Sequence, residues 1–337
     1  MTKPHNVSSC GDFEVRMKQF LIAFVCLLAA TLCAEEKNGD VLRVATLNGP
    51  TSVPVAYLYE HAPALPGTAA RFEVLATATQ ELPKLIKGEV HIGVLPANAA
   101  AKVYVANKGA LVALGVCGTG NLFLLTTDTA FRSLADLRGK TVACAGQGAT
   151  PEYVFRYVLG AAGVNAGDGA DAVRLDFSLA NADIAAALAA GKVQYALVPE
   201  PFATVAQLKG SGIIRALDVQ EAYSAATGGA TYPMTLLVAN AAYTAAHPDV
   251  VDAFIAAYKT AVEWTNAHPR AAGELTQKHT LGLTAAVVER SIPNAAYTWQ
   301  DARAARADIE RLLRVYLRTV PQAVGGALPD DGFYYSR

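Results

Sequence analysis

The stretch KGEVHIGVLPANAA at residues 87–100 recurs as AGKVQYALVPEPFA at residues 190–203. The two copies keep a constant offset of 103 positions, so that Gly88 matches Gly191 and Pro96 matches Pro199. A helix-forming run precedes each glycine, a residue typical of helix C-termini. The apolar run that follows predicts a strand covered on both faces, and the proline ends it because proline cannot extend the hydrogen-bond ladder.

A second pair of matching segments precedes the first pair. VLRVATL at residues 41–47 leads through a Gly/Pro loop into a helical run, and KTVACA at residues 140–145 does the same. At an offset of 98 positions Val44 matches Val142 and Tyr59 matches Tyr157. Each half of the chain therefore reads strand, loop, helix, then helix, glycine, strand, proline, and we predict a doubled α/β unit.

Length and composition narrow the class of protein. A chain of 337 residues predicts two lobes, because single cores stop growing near roughly 250 to 300 residues. The formal charge is −1 and no basic run occurs, so nucleic acid is not expected as a partner. Six scattered histidines and the absence of a Cys-x-x-Cys motif predict no metal site.

The amino terminus has the pattern of a targeting segment. Arg16 and Lys18 precede an apolar run at residues 20–32, too short for a bilayer span of roughly 20 residues. We predict residues 1–34 as a signal peptide. Two outcomes stay open: lipidation of Cys33, as in a bacterial lipoprotein, or cleavage near Ala34 without a lipid.

Cys117 and Cys144 remain in the mature domain. Each lies in an apolar run that predicts a strand, where a buried thiol behaves as a small hydrophobic group. A disulfide between them stays open, although strand geometry rarely brings two such cysteines into bridging range.

Two apolar stretches are predicted to cross from one lobe to the other, and they contain the expected hinge strands at residues 119–127 and 230–238. Two antiparallel crossing strands would form a hinge. The expected domains are lobe 1 (41–122 and 236–320), lobe 2 (128–229) and a C-terminal tail (321–337). The C-terminal part predicts helices, including a long one at residues 299–319, and its arginine-rich run is interpreted as a solvated helix face.

Five motifs in order carry a family resemblance: LRVATLNGPTS, LPKLIKGEVHIGVLPAN, SLADLRGKTVACAGQGATPEYVFRYVL, LAAGKVQYALVPEPFAT and YPMTLLVAN. With them the chain resembles the substrate-binding proteins of bacterial ABC importers, in the group that binds aliphatic sulfonates, taurine, nitrate and the pyrimidine precursor of thiamine. The resemblance implies the type II periplasmic-binding-protein fold, an α/β fold with two lobes and two crossover strands as hinge. It also implies a periplasmic or membrane-anchored monomer that delivers a small-molecule ligand to a permease in the inner membrane.

Loop residues that follow the strands are expected to face the cleft between the lobes. Hydroxyl, amide and backbone N–H groups dominate there, which suits a small polar or heteroaromatic ligand. No arginine lies at these loop ends, so bidentate capture of a carboxylate or phosphate is not expected. The predicted ligand-binding residues are Asn48, Gly49, Thr51, Ser52, Thr77, Thr79, Asn98, Thr119, Gln147, Gly148, Thr150, Glu200 and Tyr232.

Two roles stay open, one for Glu200 of this set and one for four aromatic residues, of which only Tyr232 belongs to it. Glu200 either accepts a hydrogen bond from the ligand or caps backbone groups at the hinge. Aromatic stacking on a planar ligand is the role considered for Tyr153, Phe202, Tyr232 and Trp299, against the commoner role of such rings in a core.

An enzyme on the same fold is the alternative function, because a fold does not fix an activity. The related chemistries are synthesis of the thiamine pyrimidine and dehydration of a menaquinone precursor. The sequence shows neither paired carboxylates nor a histidine-based dyad at the expected site, so we predict a binding protein without catalytic residues or cofactor.

Overall fold

Two β-sheets organise the chain in the computed structural model, which describes residues 41–107 and 109–337. The strands are β1 (Val41–Leu47), β2 (Ala69–Leu75), β3 (Ile92–Pro96), β4 (Leu111–Gly118), β5 (Leu122–Thr126), β6 (Thr141–Cys144), β7 (Arg174–Asp176), β8 (Tyr195–Pro199), β9 (Ile214–Asp218), β10 (Thr235–Asn240) and β11 (Tyr297–Asp301). The first sheet has the order β11-β4-β10-β3-β1-β2, and the second has the order β7-β6-β8-β5-β9. This confirms the predicted α/β class with two sheets.

Helices cover both sheets. They are α1 (Val53–Glu60), α2 (Ala78–Lys87), α3 (Ala97–Ala106), α4 (Thr150–Ala161), α5 (Asn181–Ala189), α6 (Phe202–Lys209), α7 (Val219–Thr227), α8 (Ala241–Ala246), α9 (Pro248–Ala267), α10 (Pro269–Lys278), α11 (Ala285–Ala295) and α12 (Arg306–Thr319). Short 3-10 turns lie at Pro50–Ser52, Leu134–Leu137, Pro321–Val324 and Asp331–Phe333. Within the described residues, none of these helices is both long and apolar enough to cross a membrane.

The two copies of the repeated stretch have the predicted structure. Gly88 and Gly191 take left-handed φ angles of 72° and 69° just beyond α2 and α5. Only glycine adopts this conformation at little cost, so each helix ends there. The apolar runs form β3 and β8, whose last residues are Pro96 and Pro199.

The chain passes between the sheets at two neighbouring points. Residues 119–121 connect β4 to β5, and residues 228–234 connect α7 to β10. Because β4 and β10 are antiparallel neighbours, with Gly118 opposite Thr235, the two linkers lie side by side. The expected hinge range 119–127 contains the first linker and also includes β5. The range 230–238 contains residues 230–234 of the second linker and the start of β10, but it leaves out residues 228 and 229.

The prediction of one helix from residue 299 is wrong at its beginning. Trp299 lies in the edge strand β11, and α12 begins only at Arg306. Tyr297 pairs with Gly118, and the Trp299 ring covers Gly115, where an added Cβ would come within 2.5 Å of the indole. Aromatic and β-branched residues favour such a pleated, half-buried surface, which overrides the helical pattern downstream.

Helix α12 packs against helices from both sheets, namely α3 and α4. The Tyr316 hydroxyl lies 2.8 Å from Oγ1 of Thr150 on α4, and the Tyr316 ring lies 4.7 Å from that of Tyr153. One hydrophobic cluster accordingly contains residues of both sheets and of α12. The C-terminal helix therefore forms a third connection, which involves packing rather than the backbone.

Cys117 and Cys144 are buried free thiols, one on β4 and the other on β6, so the disulfide that the sequence left open is not formed. The signal peptide at residues 1–34 and the lipidation site at Cys33 lie outside the described residues.

A buried carboxyl group joins α2 to β3. Glu81 has no exposed surface, and its Oε1 accepts a hydrogen bond of 2.8 Å from the backbone N–H of Val94. Gly93 provides the space, because a Cβ there would lie 2.1 Å from Oε1. Burial raises the pKa of Glu81 to about 8, although the Val94 hydrogen bond acts in the opposite direction. The group is therefore mostly protonated at neutral pH.

Glu81→Gln should flatten the dependence of stability on pH. Between the ordinary pKa of 4.5 and about 8, the folded chain keeps a proton that the unfolded chain releases. The free energy of unfolding of the wild type should therefore fall as pH rises through this window. Glutamine keeps the acceptor for Val94 and has no proton to lose, so its contribution does not change with pH.

Urea unfolding at pH 5, 7 and 8.5 measures the effect. The control is Glu289→Gln on α11, which changes an exposed carboxylate. Parallel pH profiles for the wild type and Glu81→Gln would contradict the assignment.

Candidate functional site

A cleft lies between the carboxyl ends of strands from the two sheets. It has roughly 680 Å³ of empty volume, including its open mouth. Val94 of β3 and Pro199 of β8, which belong to the two copies of the repeat, lie on its two sides. The lining residues are Pro50, Thr51, Pro54, Val94, Cys117, Gly118, Asn121, Asn181, Pro199, Glu200, Phe202, Met234, Thr235, Tyr258, Ala295 and Tyr297.

The two linkers and their flanking strands form part of this wall. Gly118 and Thr235 oppose each other, and a Cβ at Gly118 would lie 2.6 Å from the Thr235 hydroxyl oxygen. The adjacent Cys117 Sγ lies 3.5 Å from the same hydroxyl. The small glycine thus lets the strands approach where the chain leaves the first sheet, so residues next to the two linkers also line the cleft.

Glu200 is almost fully buried and is held by the protein itself. Its carboxylate accepts hydrogen bonds of 3.1 Å from both the backbone N–H and the hydroxyl of Thr204 in the first turn of α6. It also forms an ion pair with Arg215 of β9. Of its two open roles, the structure shows the capping contact, while the residue also lines the cleft.

Arg215 is the cation that sequence reasoning missed at this site. Its guanidinium lies 4.4 Å from the centre of the Phe123 ring and also donates a hydrogen bond to Gln207. It comes from the interior of a strand rather than a loop end, so no local motif marks it. Removing one partner of such a buried pair leaves the other charge uncompensated, which costs about 3–5 kcal/mol.

The other ionisable groups of the cleft stay neutral at physiological pH. Burial raises the pKa of the Cys117 thiol to about 11. Burial also raises the pKa of the Tyr258 and Tyr297 hydroxyls above the ordinary value, and the nearby charge of Glu200 adds to the effect on Tyr297. The Tyr297 hydroxyl donates to the carbonyl oxygen of Pro50 at 2.9 Å. Because the negative charge of Glu200 is compensated by Arg215, the cleft is lined by neutral polar groups and apolar surface.

Asn121 provides an open acceptor in the first linker. Its Oδ1 is buried and has no hydrogen-bond partner among the described residues. The Thr51 hydroxyl, by contrast, already bonds the backbone of Leu47 through contacts of 2.9 and 3.1 Å. A buried carbonyl oxygen without a partner costs about 1–3 kcal/mol, and a ligand N–H or O–H would remove that cost.

Among the predicted ligand-binding residues, Thr51 and Glu200 line the cleft, and Thr119 lies between the lining residues Gly118 and Asn121. The remaining ten predicted residues do not line it: Asn48, Gly49, Ser52, Thr77, Thr79, Asn98, Gln147, Gly148, Thr150 and Tyr232.

Several of those ten groups have structural contacts. The Ser52 hydroxyl donates to the carbonyl oxygen of Leu47, and that of Thr150 pairs with Tyr316. Gly148 N–H donates to the Glu152 carboxylate, within the loop and first turn of α4. Tyr232 is fully buried under Gly120, where an added Cβ would lie 2.5 Å from the ring.

Aromatic side chains at the cleft are partly those that the sequence suggested. Phe202 lines it, whereas Tyr153, Tyr232 and Trp299 do not. Tyr258 and Tyr297 were missed. Tyr258 belongs to the apolar face of α9, and its spacing alone does not distinguish a lining ring from a core ring.

Known proteins with this architecture support the assignment of the fold. An ABC transporter protein from Parabacteroides distasonis superposes with a TM-score of 0.74 at 24% identity, covering 88% of this chain and 99% of that one. The periplasmic aliphatic sulphonate binding protein SsuA from Escherichia coli gives 0.70 at 19%, covering 88% and 92%. The periplasmic nitrate-binding protein NrtA from Synechocystis PCC 6803 gives 0.59 at 12%, covering 84% of each chain. At these identities the similarity establishes the fold.

Sequence comparison gives a family and no individual relative. No curated protein sequence matches the chain. Residues 73–272, which are more than half of it, match the model of the family described as NMT1/THI5 like. The chain therefore belongs to the NMT1/THI5-like family.

Proposed function

We propose that the chain is the solute-binding component of an ABC importer, which captures a small polar or heteroaromatic ligand and delivers it to a membrane permease. One observation carries this function: the cleft is lined by strand ends of both sheets and by both linkers. Rotation about two adjacent linkers would open and close such a cleft around a ligand. The proposed lobes keep the ranges 41–122 with 236–320, and 128–229.

The lining favours a ligand without a strong negative charge. Among the described residues, the lining contains no arginine, lysine or histidine, and its one carboxylate is paired with Arg215. The rings of Phe202, Tyr258 and Tyr297 offer apolar surface to a planar molecule. Asn121 offers an acceptor, so a neutral heteroaromatic compound with an N–H donor matches the cleft better than a sulfonate or nitrate ion does.

The same groups favour binding over catalysis. Cys117 is a neutral thiol, and therefore a weak nucleophile, because the thiolate is the reactive form. Glu200 already accepts three hydrogen bonds or ion-pair contacts from Thr204 and Arg215, which leaves it a poor general base. Neither group supports the enzyme alternative.

A thermal-shift screen tests the proposed function. The purified protein is mixed with pyrimidines, thiamine, flavins, sulfonates and nitrate. A neutral heteroaromatic compound should raise the melting temperature selectively, since a ligand at 100 times its Kd adds about 2.7 kcal/mol of stability. Mass spectrometry should find the compound unchanged. Product formation would contradict the binder, and a response restricted to sulfonates or nitrate would contradict the ligand class.

Asn121→Ala should weaken binding of the compound that the screen selects by about tenfold or more, because the ligand donor would lose its buried acceptor. Titration calorimetry measures the change. Asn165→Ala, at an exposed asparagine outside the cleft, is the control and should bind like the wild type. Equal affinity of the Asn121 variant would show that the ligand does not use this acceptor.

Export is the remaining part of the proposal. Residues 1–34 act as a signal peptide, and the mature protein lies outside the cytoplasm as a monomer that docks on a permease in the inner membrane. Mass spectrometry of the protein expressed in a diderm bacterium distinguishes the two outcomes at Cys33. Lipidation predicts added acyl mass that Cys33→Ser abolishes, whereas simple cleavage predicts a mature chain that begins near Ala34 and is unaffected by that variant. An uncleaved chain would contradict export.

A further inference from the structure

A second cavity lies where the C-terminal helix α12 meets α4 and α7. It has roughly 610 Å³ of empty volume including its mouth. It shares no lining residue with the cleft described above. Its lining residues are Tyr157, Tyr223, Ala226, Thr227, Arg311, Arg314, Val315 and Arg318.

Three arginines give this cavity a positive wall. Arg311, Arg314 and Arg318 follow one another at spacings of three and four on one face of α12. Within the part of the chain that the structure describes, no carboxylate lines the cavity. Ion pairs engage one nitrogen of Arg311 with Asp308 at 3.0 Å and one of Arg314 with Glu310 at 3.1 Å.

Further N–H donors of the same wall stay available. A guanidinium has five N–H donors, so those two arginines keep donors for another acceptor. Arg318 forms no ion pair within residues 41–107 and 109–337.

Tyr223 adds a donor that the protein leaves unused. The residue is fully buried, and its hydroxyl has no hydrogen-bond partner among the described residues. Its ring is fixed between Tyr157, at 5.5 Å, and Tyr232, at 5.2 Å. Burial raises the pKa of this hydroxyl to about 12, so it keeps its proton at neutral pH.

Tyr223 lines the same cavity as the three arginines. Besides burial, Tyr157 and Asp308 raise the pKa of the Tyr223 hydroxyl, and Arg311 lowers it. Tyr157 and Arg311 also line the cavity. An unpartnered buried donor on a residue that lines the same cavity as three arginines is matched by an acceptor with negative charge.

We propose that this cavity binds a small oxyanion of the phosphate class, held by Arg311, Arg314, Arg318 and the Tyr223 hydroxyl. Several oxygens on one small anion match the several donors of the residues that line the cavity. Because α12 follows the first sheet in the chain, whereas α4 and α7 cover the second, the anion ties the C-terminal helix to the second sheet's helices. It therefore stabilises that contact.

Binding is tested by titrating the purified protein with inorganic phosphate and, in a second arm, with glycerol 3-phosphate, against sodium chloride at matched ionic strength. We expect a saturable rise in melting temperature with at least one of the phosphates and none with chloride. A response to inorganic phosphate identifies the free ion as ligand, and a response to glycerol phosphate alone identifies a phosphate ester. No specific response in either arm overturns the proposal.

Variants locate the site. The double variant Arg314→Ala/Arg318→Ala should weaken phosphate binding at least tenfold in calorimetry, and Tyr223→Phe severalfold. Arg290→Ala, at an exposed arginine of α11, and Asn121→Ala in the cleft should bind phosphate like the wild type.

Unliganded Tyr223→Phe should melt at or above the wild-type temperature, because it removes only an unpartnered buried hydroxyl, so it separates binding from folding. Wild-type phosphate affinity in both the double variant and Tyr223→Phe overturns the proposed site, whatever the ligand screen of the cleft shows.

Discussion

The pairing of β4 with β10 is the constraint on which the arrangement of the two sheets depends. These antiparallel strands lie side by side in the first sheet, and the chain leaves the sheet after one and returns through the other. Both linkers therefore lie at the same end of this strand pair, next to Gly118 and Thr235. Residues at that end of the strand pair flank the linkers and also form part of the cleft wall. In the proposed function, rotation about the linkers would therefore move residues of the cleft wall.

The doubling of the sequence has a topological counterpart. The first sheet contains the order β2-β1-β3-β10, and the second contains the order β7-β6-β8-β5. In the first sheet β3 is parallel to β1, and in the second β8 is parallel to β6 in the same way. The antiparallel fourth strand is the one that follows a linker, β5 in the second sheet and β10 in the first. In each half, the fourth strand of this order is the one that follows a linker between the two sheets. The two halves therefore share one topology, which explains why the repeat predicts the fold so well.

Local signals predicted the fold, whereas the cleft depends on distant packing. Gly88, Gly191, Pro96 and Pro199 fix helix and strand ends through their own backbone preferences, and the structure confirms them. The cleft adds side chains from α9 and β11, far along the chain from either repeat, and Arg215 from a strand interior. Their roles follow from which elements pack together, and no periodicity or motif in one sequence contains that information. The same limit explains why Trp299 was assigned to a helix.

The C-terminal helix limits how the two sheets can move. Two linkers alone would permit free rotation, yet α12 packs on α3 of the first sheet and on α4 of the second. The contact between Thr150 and Tyr316 is buried, so separating α4 from α12 would expose apolar surface and leave two hydroxyls without each other. The opening motion of the proposed function would therefore carry α12 with the second sheet, or slide it against one of the two helices. Such a motion would depend on the packing of a helix that, within the described part of the chain, contributes no residue to the cleft lining.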